Sequence, residues 1–168
     1  YPYRLERVRE DNFGMALFSR YPFDSSDIVY LTDAAIPSLR VTLDLKGRSV
    51  HVVASHPLPP VSGAYVASRD KQLAVLADSR VDPGAFLLVG DFNTTPWSPQ
   101  IKDILRKARL QDSARGFGFH PTWPTMLPPL WTVLDHVFHS EELHVLDRNV
   151  LLDVVDLRED ESATRAEG

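Results

Sequence analysis

The chain has 168 residues, enough for one ordinary domain with a buried core, and its 43% hydrophobic against 24% charged residues are a globular composition. A formal net charge of -5 argues against a long nucleic-acid groove, because duplex binding rests largely on lysine and arginine neutralising phosphates; a small phosphorylated substrate or a local basic patch stays open. The absence of cysteine excludes disulfides and thiolate zinc sites, and no run approaches the roughly 20 apolar residues of a spanning helix. No signal peptide is visible, and a start at Tyr1-Pro2-Tyr3 without methionine leaves open what preceded it.

Tyr1 to Asp11 is polar and charged and predicts a surface segment. Phe13 to Ser19 predicts a short apolar strand closed by Arg20-Tyr21-Pro22, and Asp27 to Leu31 a further one. Leu39 to Leu45 alternates apolar and polar residues with a period of two, Lys46-Gly47-Arg48 is a turn, and Ser49 to Ala54 runs back, so the pair predicts a β-hairpin. Its second strand ends at Ser55-His56-Pro57-Leu58-Pro59-Pro60, where proline stops sheet pairing and holds the preceding residue extended. A lone histidine is commonly a surface or satisfied structural residue, but this position at a strand end makes His56 a site candidate. Ala64 to Arg80 fits an amphipathic helix, with Tyr65, Val66, Gln72, Leu73, Val75 and Leu76 separated by Arg69, Asp70 and Lys71.

Ala85 to Val89 is a continuous apolar run too short for a helix and bounded by Asp82-Pro83-Gly84, which predicts a buried strand. Beyond it, alternation sends Asp91 and Asn93 to one face and Phe92 to the other. A carboxylate and a carboxamide at a strand end suit a hard divalent cation or a phosphate-bound water. The alternative is an Asx-type turn in which both bond their own backbone. Ser98-Pro99 reads as an N-cap with proline at the first helical position, opening a helix to Ala108 with Ile101, Ile104 and Leu105 as its apolar stripe. Arg115 to Trp131 is a glycine-, proline- and aromatic-rich loop, whose aromatics either wall a ligand site or pack over the sheet edge. Thr132 to Phe138 is strand-like, and a carboxylate in so apolar a strand needs a partner. Asp135 is therefore a site residue or half of a buried hydrogen-bonded pair, while His136, on the other face, reads as structural. Leu143 to Leu157 predicts one or two last strands, and Arg158 to Gly168 a charged, frayed tail. No internal repeat or linker divides the chain, so residues 1–168 are read as a single domain.

Four pieces stand in order: Gly14-Met15-Ala16-Leu17-Phe18-Ser19-Arg20-Tyr21-Pro22, Ser55-His56-Pro57, Gly90-Asp91-Phe92-Asn93-Thr94-Thr95-Pro96 and Leu134-Asp135-His136-Val137-Phe138-His139-Ser140. Together, over roughly Asn12 to Ser140, they resemble the endonuclease/exonuclease/phosphatase superfamily with the deoxyribonuclease-I-like fold. The resemblance implies a four-layer α/β-sandwich, incomplete at the N-terminus, and a phosphoesterase dependent on Mg²⁺ or Mn²⁺ that hydrolyses a P–O bond by in-line attack of an activated water. By motif, His56 resembles the family's histidine at the scissile phosphate, with a part in acid/base chemistry. Asp91 resembles the aspartate that positions or activates the attacking water, and Asn93 the asparagine that binds a phosphate oxygen and orients that aspartate. Asp135 resembles the aspartate that bonds a second histidine near the chain's end. Asn93, Arg20 and Trp123 are expected at the substrate, and Asp91 at the metal, whose main carboxylate ligand is expected elsewhere. The substrate stays open among small, lipid-like and nucleic-acid phosphoesters. The competing expectation is a catalytically degenerate phosphate-binding or scaffold module of the same fold. The Thr94-to-Ser98 extension and the Pro121-Thr122-Trp123-Pro124 loop resemble a bacterial branch in which some members carry membrane helices ahead of the catalytic domain, which implies a membrane-attached or periplasmic setting.

Two departures stand beside these matches. The family's opening strand with an asparagine and the following metal-binding glutamate belong before the Phe13 strand, where this chain has no room for them. Its Ser-Asp-His sequence belongs just before the last strand, but here Asp147-Arg148-Asn149-Val150 passes directly into Leu151 to Leu157. Either the residues come from a longer chain, or this is a relative that has lost catalysis. The first explanation predicts a break in covalent continuity near Val150 and Leu152.

Overall fold

The protein is described by a computed structural model over residues 1–80, 84–118, 121–123 and 132–148. Strands β1 (Tyr3–Arg7) and β2 (Met15–Ser19) pair antiparallel as a separate two-stranded sheet, with Leu5 opposite Leu17. The surface segment expected over Tyr1 to Asp11 is thus partly a strand. Its own pattern hides this, because Leu5 is its one inward apolar side chain among charged neighbours and the strand is held by pairing with β2.

Strands β3 (Phe23–Tyr30), β4 (Pro37–Asp44) and β5 (Ser49–Ser55) follow as an antiparallel meander. β3 starts four residues earlier than the predicted Asp27, because it is an edge strand and tolerates the polar run Asp24-Ser25-Ser26. The predicted β4–β5 hairpin is present. Lys46 (φ 57) and Gly47 (φ 85) both take the left-handed conformation that a two-residue type I′ turn requires, and Leu45 and Arg48 exchange backbone hydrogen bonds across it.

Next in the chain are helix α1 (Gly63–Ala77) and strand β6 (Ala85–Asp91), and β6 lies parallel to β5 with Ala54 opposite Val89. Parallel neighbours need a crossover, which α1 supplies. Ser62 caps α1 by accepting the Tyr65 N–H, and Ser98 caps α2 (Pro99–Lys107) by accepting the Ile101 N–H. The chain then adds β7 (Gln111–Asp112) and β8 (Asp135–His139), giving a six-stranded mixed sheet in the order β3-β4-β5-β6-β8-β7. β8 begins at Asp135 rather than at Thr132, and Leu143 to Arg148 carry no strand. The rest of the expected last strands, the charged tail and the expected break at Val150 and Leu152 lie outside the described residues.

Both helices pack on one face of this sheet. There Leu73, Leu76, Ile101 and Ile104 meet Val53, Phe86, Leu88, Phe92 and Phe138, each side chain contributing about 1.5–3 kcal/mol by leaving water. On the opposite face Val41, Val50 and Val52 meet Leu5, Leu17 and Phe23. The fold is therefore an α/β sandwich, described here as three layers of the expected four: helices, mixed sheet and the β1–β2 sheet.

The C-terminal tips of β5 and β6 come very close. Gly90 has φ 149, and a Cβ placed on it would overlap the carbonyl oxygen of Ser55, the residue that ends β5. Only glycine fits there. Gly90→Ala should therefore lower folding stability by about 3 kcal/mol or more in urea unfolding. Gly47→Ala, in open space at its turn, should cost about 1–2 kcal/mol. Equal costs at the two positions would contradict the close approach.

Candidate active site at the tips of the parallel strands

Because β5 and β6 run parallel, the residues that leave them depart side by side. His56 follows Ser55, and Asp91 is the last residue of β6. The His56 Nε2 and an Asp91 carboxylate oxygen, Oδ2, lie 3.9 Å apart, with both side chains about a third exposed (31% and 34%). That separation is too long for a direct hydrogen bond and short enough for a shared water or phosphate oxygen to bridge. The Phe13 ring stands against the imidazole with centroids 5.5 Å apart. Phe13 is itself placed by Asp11, whose Oδ1 accepts its N–H at 3.1 Å. Asp11 is gripped by Arg9, which brings its carboxyl down to about 2.

Asn93 joins this pair by a route the strand alternation did not anticipate. β6 stops at Asp91, and Asn93 adopts the left-handed φ of 51. Its N–H donates to Asp91 Oδ1 at 2.8 Å, and its side-chain Nδ2 donates to the Pro57 carbonyl at 3.0 Å. The Asx-type turn is therefore present, and it brings Asn93 to the same strand tips as His56 and Asp91. Phe92 turns into the core beneath, stacked on His136 with centroids 5.7 Å apart. His136 is buried and its Nε2 bonds the Thr94 carbonyl at 2.9 Å, which fits the structural reading of that residue.

Asp135 is the direct cross-strand partner of Asp91, so the two carboxylates share a face. It opens β8 exposed, not as half of a buried pair. Its N–H and that of Leu134 both donate to Thr122 Oγ1 at 3.1 Å. A cavity of 630 Å³ beside it is lined by Thr122, Val137, Asp147 and Arg148. Trp123 is exposed and bridges to Thr132, next to that Thr122 anchor. Arg20, by contrast, places its guanidinium over the Tyr1 ring, 5.4 Å from the centroid. The structure thus gathers His56, Asp91 and Asn93, sets Asp135 alongside, and gives Arg20 a different neighbour.

Burial raises the Asp91 carboxyl above its usual value of 3.8. The Asn93 N–H opposes the rise, the charge of Asp135 adds to it, and His56 and His136 pull it back. Burial likewise lowers His136 below the ordinary imidazole value of 6.5. Asp91 and Asp135 offer carboxylate oxygens, yet among the described residues no group of three or more His, Asp or Glu side chains gathers around one point.

Sequence reasoning missed three contributors: Gly90, which lets the tips touch; Thr122, which anchors the start of β8; and Arg69, whose Nη1 donates to the Asn93 carbonyl at 2.9 Å. The one available signal was Arg69 itself, a cation one helical turn from Leu73 on the inward side of α1.

A helix layer, a mixed sheet with polar residues at its parallel tips and a second sheet on the far face define an α/β sandwich of the deoxyribonuclease-I type. The chain belongs to the Endonuclease/Exonuclease/phosphatase family, whose model matches residues 1–157. Among solved structures it is similar to sphingomyelinase C from Streptomyces griseocarneus (TM-score 0.62, 22% identity, 79% of this chain and 54% of that one). It is also similar to an endonuclease/exonuclease/phosphatase from Beutenbergia cavernae (TM-score 0.61, 26% identity, 76% and 40%). A third likeness is to a beta toxin variant from Staphylococcus aureus with bound magnesium ions (TM-score 0.58, 19% identity, 79% and 54%). The chain thus spans about half or less of each of these proteins. A search of curated proteins found no significant match.

The raised Asp91 value has a consequence for stability. A carboxyl that holds its proton more tightly folded than unfolded favours the folded state as pH falls toward the unfolded value, and that advantage is lost as pH rises through the folded one. Asp91→Asn keeps the oxygen that accepts the Asn93 N–H and removes the charge. It should raise the urea midpoint at pH 7, with the gain fading below about pH 4. A lower midpoint at pH 7 would show that the charge stabilises the fold.

Proposed function

We propose that this chain belongs to a metal-dependent phosphoester hydrolase. The observation that carries the reading is the convergence of an imidazole, a carboxylate and a carboxamide at the touching tips of β5 and β6. In the proposed reaction a water oxygen forms a bond to phosphorus as the opposite P–O bond breaks. Asp91 orients the water and takes its proton; because burial raises its carboxyl, activity should be lost on acidification at a higher pH than an unperturbed carboxylate would set. His56, on the other strand tip, contacts the phosphate and delivers a proton to the leaving oxygen. Asn93 supplies a neutral donor toward a phosphoryl oxygen, since its Nδ2 has a second hydrogen beyond the one given to Pro57.

Asp135 keeps a second negative charge beside Asp91 and tightens its hold on a proton. Family membership and a magnesium-bearing relative support Mg²⁺ or Mn²⁺ as cofactor. Its carboxylate ligands would lie mainly beyond the described residues, and when bound it would offset charge on the phosphoryl group. One similar protein, named a sphingomyelinase, favours a lipid-like or other small phosphodiester over duplex DNA, in keeping with the net charge of -5.

The complete protein should hydrolyse bis(p-nitrophenyl) phosphate with Mg²⁺ or Mn²⁺, stop in EDTA and recover on adding the metal back. Asp91→Ala and His56→Ala should each lower kcat by about 100-fold or more. Full activity in both variants would overturn the site. A complete, folded protein that binds phosphate but turns over no phosphodiester would instead be the non-catalytic module.

A further inference from the structure

Helix α1 sets two polar side chains into the apolar face that it lays on the sheet. Arg69 and Gln72, one turn apart, are 9% and 1% exposed. Burying such groups is unfavourable unless they are hydrogen-bonded, and here the donors of both reach the segments that bear the site, while Gln72 Oε1 is buried without a hydrogen-bond partner. Gln72 Nε2 donates to Ser55 Oγ at 3.0 Å and Ser38 Oγ at 3.4 Å, and the two hydroxyls lie 2.8 Å apart. Ser55 is the residue before His56. Arg69 Nη1 donates to the Asn93 carbonyl at 2.9 Å, while its Nε and Nη2 both reach Asp70 Oδ1 (3.0 and 2.9 Å). Asp70 Oδ2 in turn accepts from Gln100 Nε2 on α2 at 3.1 Å.

We propose that Arg69 is a positioning residue that locks Asn93 in its left-handed conformation, and so sets the Asp91–Asn93 turn in line with His56. The proposal rests on the hydrolase reading for its kinetic consequence and on geometry for the rest. A left-handed φ is sparsely populated for a residue with a side chain and persists where its surroundings hold it. The direction of the Asn93 carbonyl is set by the ψ angle of Asn93, so a charged donor on that oxygen restrains this torsion. The next carbonyl, that of Thr94, is bonded by His136 of β8 at 2.9 Å. The peptide planes on either side of Thr94 are thus held, one from α1 and one from β8, which restrains the backbone just past the Asn93 N–H that donates to Asp91. Gln100 and Asp70 keep the guanidinium from swinging away. A cation with only a structural task on α1 could pair with Asp70 at the surface; this one turns inward to a backbone oxygen of the site.

The test uses the complete protein with Arg69→Met, Arg69→Lys and, as a surface control, Arg106→Ala, whose ion pair with Asp103 lies on the exposed side of α2. Amide hydrogen exchange at Asn93, followed by NMR, reads the clamp directly. Arg69→Met should lose protection at that amide by about tenfold or more and lower kcat on bis(p-nitrophenyl) phosphate by roughly 10- to 100-fold, with KM within about threefold. Arg69→Lys should fall between, and Arg106→Ala should match the wild type. Unchanged Asn93 exchange in folded Arg69→Met would overturn the proposal. So would a loss that appears only in KM. Should Arg69→Met not fold, Gln100→Ala, which frees Asp70 without touching the core, should give the same losses in smaller measure; wild-type exchange and kcat there would overturn it. If the wild type turns over no phosphodiester, the hydrolase reading fails, and the exchange measurement still decides the clamp.

Discussion

The contact between the Gly90 backbone and the Ser55 carbonyl is the constraint on which the rest of this molecule depends. It forces the tips of two parallel strands closer than any side chain at position 90 would allow. His56, Asp91 and Asn93 all leave from one tip or the other. His56 continues β5 directly, and Asp91 closes β6 directly. The Asx turn then folds Asn93 back until its amide reaches Pro57, across the gap between the tips. A wider gap would leave the same residues in the sequence and take away their common focus.

The electrostatics of this end of the sheet run against stability, as sites commonly do. Two carboxylates face each other across β6 and β8, one of them partly withdrawn from water, and like charges directly opposite are unfavourable. The surrounding fold holds them there. Phe92, Phe138 and the stacked His136 fill the core immediately below, and Arg69, Gln72 and His136 hold the backbone from the helix side. The helix layer thus has two tasks. Its leucines and isoleucines supply apolar burial, and two of its polar residues fix the direction in which the strand tips present their groups.

How much of this was legible in the sequence depended on how local its causes are. The β4–β5 hairpin and the start of α2 were readable because Lys46-Gly47 and Ser98 act within a few residues of themselves, and α1 was readable from its amphipathic pattern. β1 was not, since a strand with one inward leucine among charges is specified by its partner, and the first half of β3 was hidden by edge-strand serines. His56, Asp91 and Asn93 were picked out by position, yet alternation was the wrong reason for Asn93, whose left-handed backbone no periodicity announces. Asp135 was read as a site residue or half of a buried pair, and the second alternative falls away because it opens its strand and meets solvent. Arg69 was passed over as one charged residue among three on a helix. Its importance lies in a contact 24 residues away in the chain, which only the folded β5–α1–β6 unit creates.

The central claim is that groups from both strand tips look into one hollow. The most direct measurement is an NMR titration of the complete protein with inorganic phosphate in the presence of Mg²⁺, following the His56 ring and the Asn93 side-chain amide together. A single shared site predicts that both sets of signals move along one binding curve with one dissociation constant. Movement of His56 while Asn93 stays still, or of neither while another histidine responds, would contradict it.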